Sequence, residues 1–114
     1  MKAVVALAGL LTVLNAAAPA QAAAANPFDG DWAEVIVGEN AHCDVHVDTS
    51  FKVSNGHLSQ PGSSGIVSPN GSAQGTSSNS GFTATWTGHF SGNKAAGRFV
   101  RSDGCVGRWS AVRR

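Results

Sequence analysis

Cys43-Asp44-Val45-His46-Val47-Asp48-Thr49-Ser50-Phe51-Lys52-Val53 alternates along its whole length. Cys43, Val45, Val47, Thr49, Phe51 and Val53 take the odd positions, and Asp44, His46, Asp48, Ser50 and Lys52 the even ones. A period of two sends successive side chains to opposite faces of a strand; a helix repeats at about 3.6 residues. One face therefore meets a core and the other meets water, as in an antiparallel sheet. Phe82 to Phe90 repeats the pattern. Phe82, Ala84, Trp86, Gly88 and Phe90 lie on one side, and Thr83, Thr85, Thr87 and His89 on the other.

Outward from these two strands, turn signals divide the chain. Asn55-Gly56, Pro69-Asn70-Gly71, Ser91-Gly92-Asn93 and Asp103-Gly104 fall between candidate strands, and Asn-Gly and Asp-Gly are favoured hairpin loops. With links this short, successive strands become antiparallel neighbours. The spacing predicts a meander of about eight strands, over residues 31–37, 43–54, 57–60, 64–68, 72–77, 82–90, 95–102 and 105–112. The expected fold class is all-β: a small antiparallel up-and-down barrel, closed because closure removes exposed sheet edges.

Residues 59–81 are the least strand-like part. All but Ile66, Val67, Ala73 and Thr76 are Ser, Gly, Asn, Gln or Pro, a composition that also suits a linker. The Ile66-Val67 pair and the recurrence of Asn-Gly at 55–56 and 70–71 favour short strands. The inner face is expected to carry Phe28, Trp32, Phe51, Phe82, Trp86, Phe90, Phe99 and Trp109, with Val35, Val45, Val47, Val53 and Ile66. An eight-stranded barrel is just wide enough for side chains to fill it or to hold one small ligand. So many rings predict a filled interior, with Trp86→Ala costing on the order of 3–5 kcal/mol.

The N-terminus reads as an address. Lys2, the apolar stretch from Ala3 to Leu14 and Ala20-Gln21-Ala22 fit a secretory signal peptide over residues 1–22, with cleavage within Ala22–Ala25. The apolar run falls short of the roughly 20 residues a membrane helix needs. One domain then spans residues 23–114, with no membrane span after cleavage, in the periplasm or outside the cell. In such a compartment the two cysteines, Cys43 and Cys105, are expected to form a disulfide.

Charge is segregated along the chain. Residues 26–48 hold six acids (Asp29, Asp31, Glu34, Glu39, Asp44, Asp48), and residues 94–114 hold six bases (Lys94, Arg98, Arg101, Arg108, Arg113, Arg114) with Asp103. In a closed barrel those segments lie side by side, and opposite charges help select that pairing. A net charge of +1 argues against nucleic acid as a partner.

Chemistry-bearing residues are sparse. His42, Asp44, His46 and Asp48 share one strand face about 7 Å apart, close enough for neighbours to share zinc or copper if His57 or His89 completed the set. The same face reads equally as hydrophilic exterior, and no metal site or cofactor is assigned. There is no Gly-x-Ser-x-Gly elbow and no His-Glu-x-x-His, and a disulfide removes the thiol nucleophiles. No catalytic residue is assigned, and the chain is not expected to be an enzyme. Glu34, inside an apolar run, either points inward with an Arg of the last strand as partner or marks the outer face.

Gly30-Asp31-Trp32 opening the first strand, with Arg113 or Arg114 ending the last, resembles the Gly-x-Trp and closing Arg of lipocalin-like (calycin) barrels. The resemblance implies that Trp32, Trp109 and Arg113 mark barrel closure, the Arg packing across the Trp. Phe28-Asp29-Gly30-x-Trp32, Asn55-Gly56 and Gly104-Cys105-x-Gly107-x-Trp109-x-Ala111 resemble a set of small exported alphaproteobacterial proteins, often labelled haem utilisation or adhesion. Small periplasmic barrels that inhibit metalloproteases are similar in length and in having one disulfide. The expected function is a non-enzymatic binding module for a protein or small ligand. The alternative is a protease inhibitor presenting Ala23–Asp31 or the turn Pro61–Gly65, and the third is an adhesive or haem-associated surface component.

Overall fold

The structure, a computed structural model, describes residues 26–41 and 43–114. The signal-peptide segment 1–22, its cleavage region up to Ala25, and His42 lie outside the described residues. The eight strands are β1 (Gly30–Gly38), β2 (His46–Ser54), β3 (His57–Gln60), β4 (Ser63–Val67), β5 (Ser72–Asn79), β6 (Phe82–Ser91), β7 (Lys94–Arg101) and β8 (Val106–Arg113). Each pairs antiparallel with the next, and β1 pairs with β8 to close the barrel. The strands fall within two residues of the expected ones except at β2, which begins at His46. Cys43 precedes it and is held by the bridge to Cys105, with Cα atoms 4.8 Å apart.

Turn chemistry sets the register. Asn55 and Gly56 both have positive φ, 52° and 76°, the mirror-image turn whose twist suits a two-residue hairpin. Asp29 fastens this turn from outside, its carboxylate accepting from the amides of Asn55 (3.0 Å) and Gly56 (3.1 Å). Ser80-Gly81, with φ of 52° and 86°, makes the same kind of turn between β5 and β6. No Asn or Asp advertises it in the sequence.

The core occupies one end of the barrel. Trp32 is fully buried, its ring stacked on Phe51 (centroids 6.1 Å apart) and edge-on to Phe90 (4.9 Å). Its indole N–H donates to the Phe28 carbonyl (3.0 Å), which satisfies the polar atom that a buried Trp brings with it. Arg113 lies opposite Trp32 in the β1–β8 register, with its guanidinium carbon 4.8 Å from the Trp32 ring centroid. That guanidinium also donates to Pro27 O (2.8 Å), Asn93 Oδ1 (2.9 Å) and Asp29 O, so the segment before β1 seals this end. Asn26 adds a bond from Nδ2 to Val67 O (2.8 Å).

Two members of the expected inner face lie outside. On β1 the inward parity belongs to Trp32, Glu34 and Ile36, so Val35 is exposed. On β4 Val67 is buried, which turns Ile66 outward. Both sit in unbroken apolar runs, Val35-Ile36-Val37 and Ile66-Val67, where alternation gives no parity, and a slip of one residue reverses every side chain. Val45, Val47 and Phe82 border the mouth of the opposite end without being covered by core.

That opposite end overturns the expectation of a filled interior. Gly65 and Gly75 pair across β4 and β5, and Gly75 pairs with Trp86 on β6. The Trp86 ring lies against both glycines where any Cβ would collide with it, so the indole is drawn towards that wall. The remaining inward positions of β4 and β5 carry side chains as small as Ser63 and Ser77. Rings cannot fill space that their neighbours leave empty, and the barrel keeps a cavity.

Candidate functional site

The cavity holds about 510 Å³ at the end away from Arg113. Its floor is aromatic: Trp86 and Trp109 meet edge to face with centroids 5.8 Å apart, and Phe99 lies beside them. Leu58 and Ile36 extend the apolar wall. Ser63, Ser77 and Asn79 line the side built by the Ser- and Gly-rich strands, and the rim carries Val47, Pro61, Gly62 and Phe82. The volume and the mix of apolar wall with few polar groups are those of a small-molecule site.

Two polar groups stand out inside. The Trp86 indole nitrogen is buried and has no hydrogen-bond partner among the described residues. Trp109, by contrast, donates its N–H to Thr87 O (3.2 Å). Glu34 is buried on β1 and points inward. Its partner is Gln60 on β3, whose Nε2 donates to Oε1 (2.8 Å) and to Ser50 O (2.9 Å). An Arg from the last strand was the expected partner of an inward Glu34. That strand's last arginine inside the fold, Arg113, is committed to the sealed end.

Burial raises the Glu34 carboxyl above its ordinary value of 4.5, and the Gln60 hydrogen bond only partly offsets this. Between the ordinary and the raised value the folded chain holds a proton that the unfolded chain releases, so stability falls as pH rises through that window. Glu34→Gln should therefore melt higher than the parent at neutral pH. The gain should shrink as pH falls towards 4.5 and vanish well below it, where both states are protonated. Melting curves of both proteins at several pH values check this; a gain that persisted under acid conditions would contradict it. Asp103 works in the opposite sense. Hydrogen bonding to Arg101 holds its carboxyl at about 2, and its contribution survives until strongly acid pH.

Arg101 is the one base lining the cavity among the described residues, and it is already engaged. Its Nε and Nη2 each meet an Asp103 carboxylate oxygen at 2.8 Å, and its guanidinium carbon lies 4.8 Å from the Phe82 ring centroid. The acidic and basic segments do meet on the outer surface. Glu39 takes Arg98 on one oxygen (2.8 Å) and Arg108 on the other (3.4 Å). These exposed pairs favour the closing register and contribute little stability.

The other expected positions fall elsewhere. Asp44, His46 and Asp48 are exposed, with His46 Nε2 3.9 Å from Asp48 Oδ1, and His57 and His89 are exposed on β3 and β6. Among the described residues no group of three or more His, Cys, Asp or Glu is gathered as metal ligands would be. Of the two inhibitory segments considered, Asn26 to Asp31 runs into the sealed end and the start of β1. Pro61 and Gly62 of the second stand on the cavity rim.

Trp86 was legible as an inward ring, but its orphaned N–H was not, because that depends on which carbonyls lie within reach. Gln60 had no sequence signal at all. Compared with protein-family models, with curated proteins and with solved structures, the chain finds no match in any of the three.

Proposed function

We propose that this chain is an exported, non-enzymatic binding module that takes one small organic molecule into the open end of its barrel. The observation that carries this reading is the cavity of about 510 Å³ walled by the Trp86, Trp109 and Phe99 rings. An apolar body fits those ring surfaces. Export is supported by the Cys43–Cys105 disulfide, which belongs to an oxidising compartment, and by the signal-like pattern from Lys2 to Ala22. The lipocalin-like Gly30-Asp31-Trp32 and Arg113 bear on how the barrel shuts and leave the ligand open.

The test uses N-phenyl-1-naphthylamine, an uncharged dye that brightens in apolar surroundings. It should bind one molecule per chain and quench the intrinsic Trp fluorescence. Ser77→Phe, which places a ring in the cavity from the Ser-rich wall, should lower dye affinity by about tenfold or more while the fold melts normally. Absence of uptake, or uptake indifferent to Ser77→Phe, would remove the cavity as a binding site.

A further inference from the structure

We infer that the ligand is an organic amine, an apolar body carrying one protonated nitrogen that meets Glu34 inside the barrel. The inference rests on the cavity being a ligand site and adds the chemical class. Among the described lining residues, β2, β3, β4, β5, β6 and β8 contribute only uncharged side chains; β1 contributes Glu34 and β7 contributes Arg101. Arg101 is neutralised by Asp103 through two hydrogen bonds. Glu34 is thus the one unbalanced charge of the interior.

A carboxylate can accept about four hydrogen bonds, and Glu34 accepts one, from Gln60, among the described residues. Both of the other ligand classes fit worse. An anion would bring a second negative charge beside Glu34 with no free cation to hold it. A neutral hydrocarbon would fill the volume and leave the carboxylate as under-satisfied as before. An ammonium supplies N–H donors and the balancing charge together, and charge-assisted hydrogen bonds are roughly twice as strong as neutral ones. The Trp86 and Trp109 rings add faces that attract a cation. Burial, which raises the Glu34 carboxyl in the empty barrel, is offset once a cation sits beside it. Binding of the amine therefore favours the ionised carboxyl and weakens in acid, where Glu34 takes up a proton.

Three probes with one body separate the classes: 4-phenylbutylamine, 4-phenylbutanol and 4-phenylbutyrate, titrated calorimetrically into the oxidised protein. The amine should bind roughly tenfold more tightly than the alcohol at neutral pH, because only the amine brings a charge opposite to that of the Glu34 carboxylate. The acid should bind most weakly. Glu34→Gln should abolish the advantage of the amine over the alcohol, and in the parent the advantage should shrink at acid pH. Equal affinity for amine and alcohol, preference for the acid, or an amine advantage untouched by Glu34→Gln would overturn the amine assignment, even with the dye still entering the barrel. If neither the dye nor any of the three binds, the cavity reading fails first and the amine assignment falls with it.

Discussion

Trp32→Ala should lower the stability of the barrel by about 3–5 kcal/mol, the cost of deleting a fully buried ring. For a domain of this size that corresponds to a fall in melting temperature of roughly 15–30 °C. Trp32 combines three roles that alanine cannot share. It is 0% exposed, it packs against both Phe51 and Phe90, and it donates to the Phe28 carbonyl, which would be left without that donor. Arg113 would also lose the ring it lies over. Trp86→Ala should cost less, near the lower end of the same range, because one side of its ring already borders the cavity. Urea titrations of the two variants give the order directly. A Trp86 variant weaker than the Trp32 variant would place the core at the wrong end of the barrel.

Removing the disulfide is the second large effect. Cys43 and Cys105 are 62 residues apart, and closing a loop of that length stabilises a chain by about 4 kcal/mol on the chain-entropy model. Paired Cys43→Ala and Cys105→Ala substitutions should lower the unfolding free energy from urea titration by about that much and move the midpoint down accordingly, with little change in far-UV circular dichroism in the absence of denaturant. The strand ladders run independently of the bridge, which ties the segment between β1 and β2 to the start of β8. A midpoint unmoved by the double substitution would show that the bridge carries no stability. Trp32 and the bridge lie at opposite ends of the barrel, and distant changes add. Since domains of this kind are stable by only about 5–15 kcal/mol, the combined variant should be largely unfolded.

The barrel itself was legible because period-two alternation and short turns act locally. Cys43–Val53 and Phe82–Phe90 show their parity without help from the rest of the chain, and Asn55-Gly56 specifies its hairpin through backbone conformation alone. Legibility stops where the signal depends on distant partners. Val35 and Ile66 adjoin apolar neighbours, so only the barrel determines which of each run turns inward. The cavity was hidden for a related reason. Counting rings suggests a filled interior, whereas the outcome depends on how those rings are distributed around the sheet. Residues 59–81, whose composition resembles a linker, form β4, β5 and the end of β3, and their small side chains are what leave the space open. Glu34 was visible as an anomaly in an apolar run, but its direction and its Gln60 partner needed the register of β1, β2 and β3.

The seal at the Arg113 end has a kinetic meaning. With Phe28, Trp32 and the Arg113 hydrogen bonds shutting one end, the barrel is a vessel and not a conduit. Any guest taken into the cavity would have to leave by the doorway through which it came, with nothing relayed from one end to the other. Residence time is then governed by the rim, where Pro61-Gly62, Phe82 and the Arg101–Asp103 pair stand. A substitution there changes how quickly the vessel empties while leaving the depth at which the guest is held.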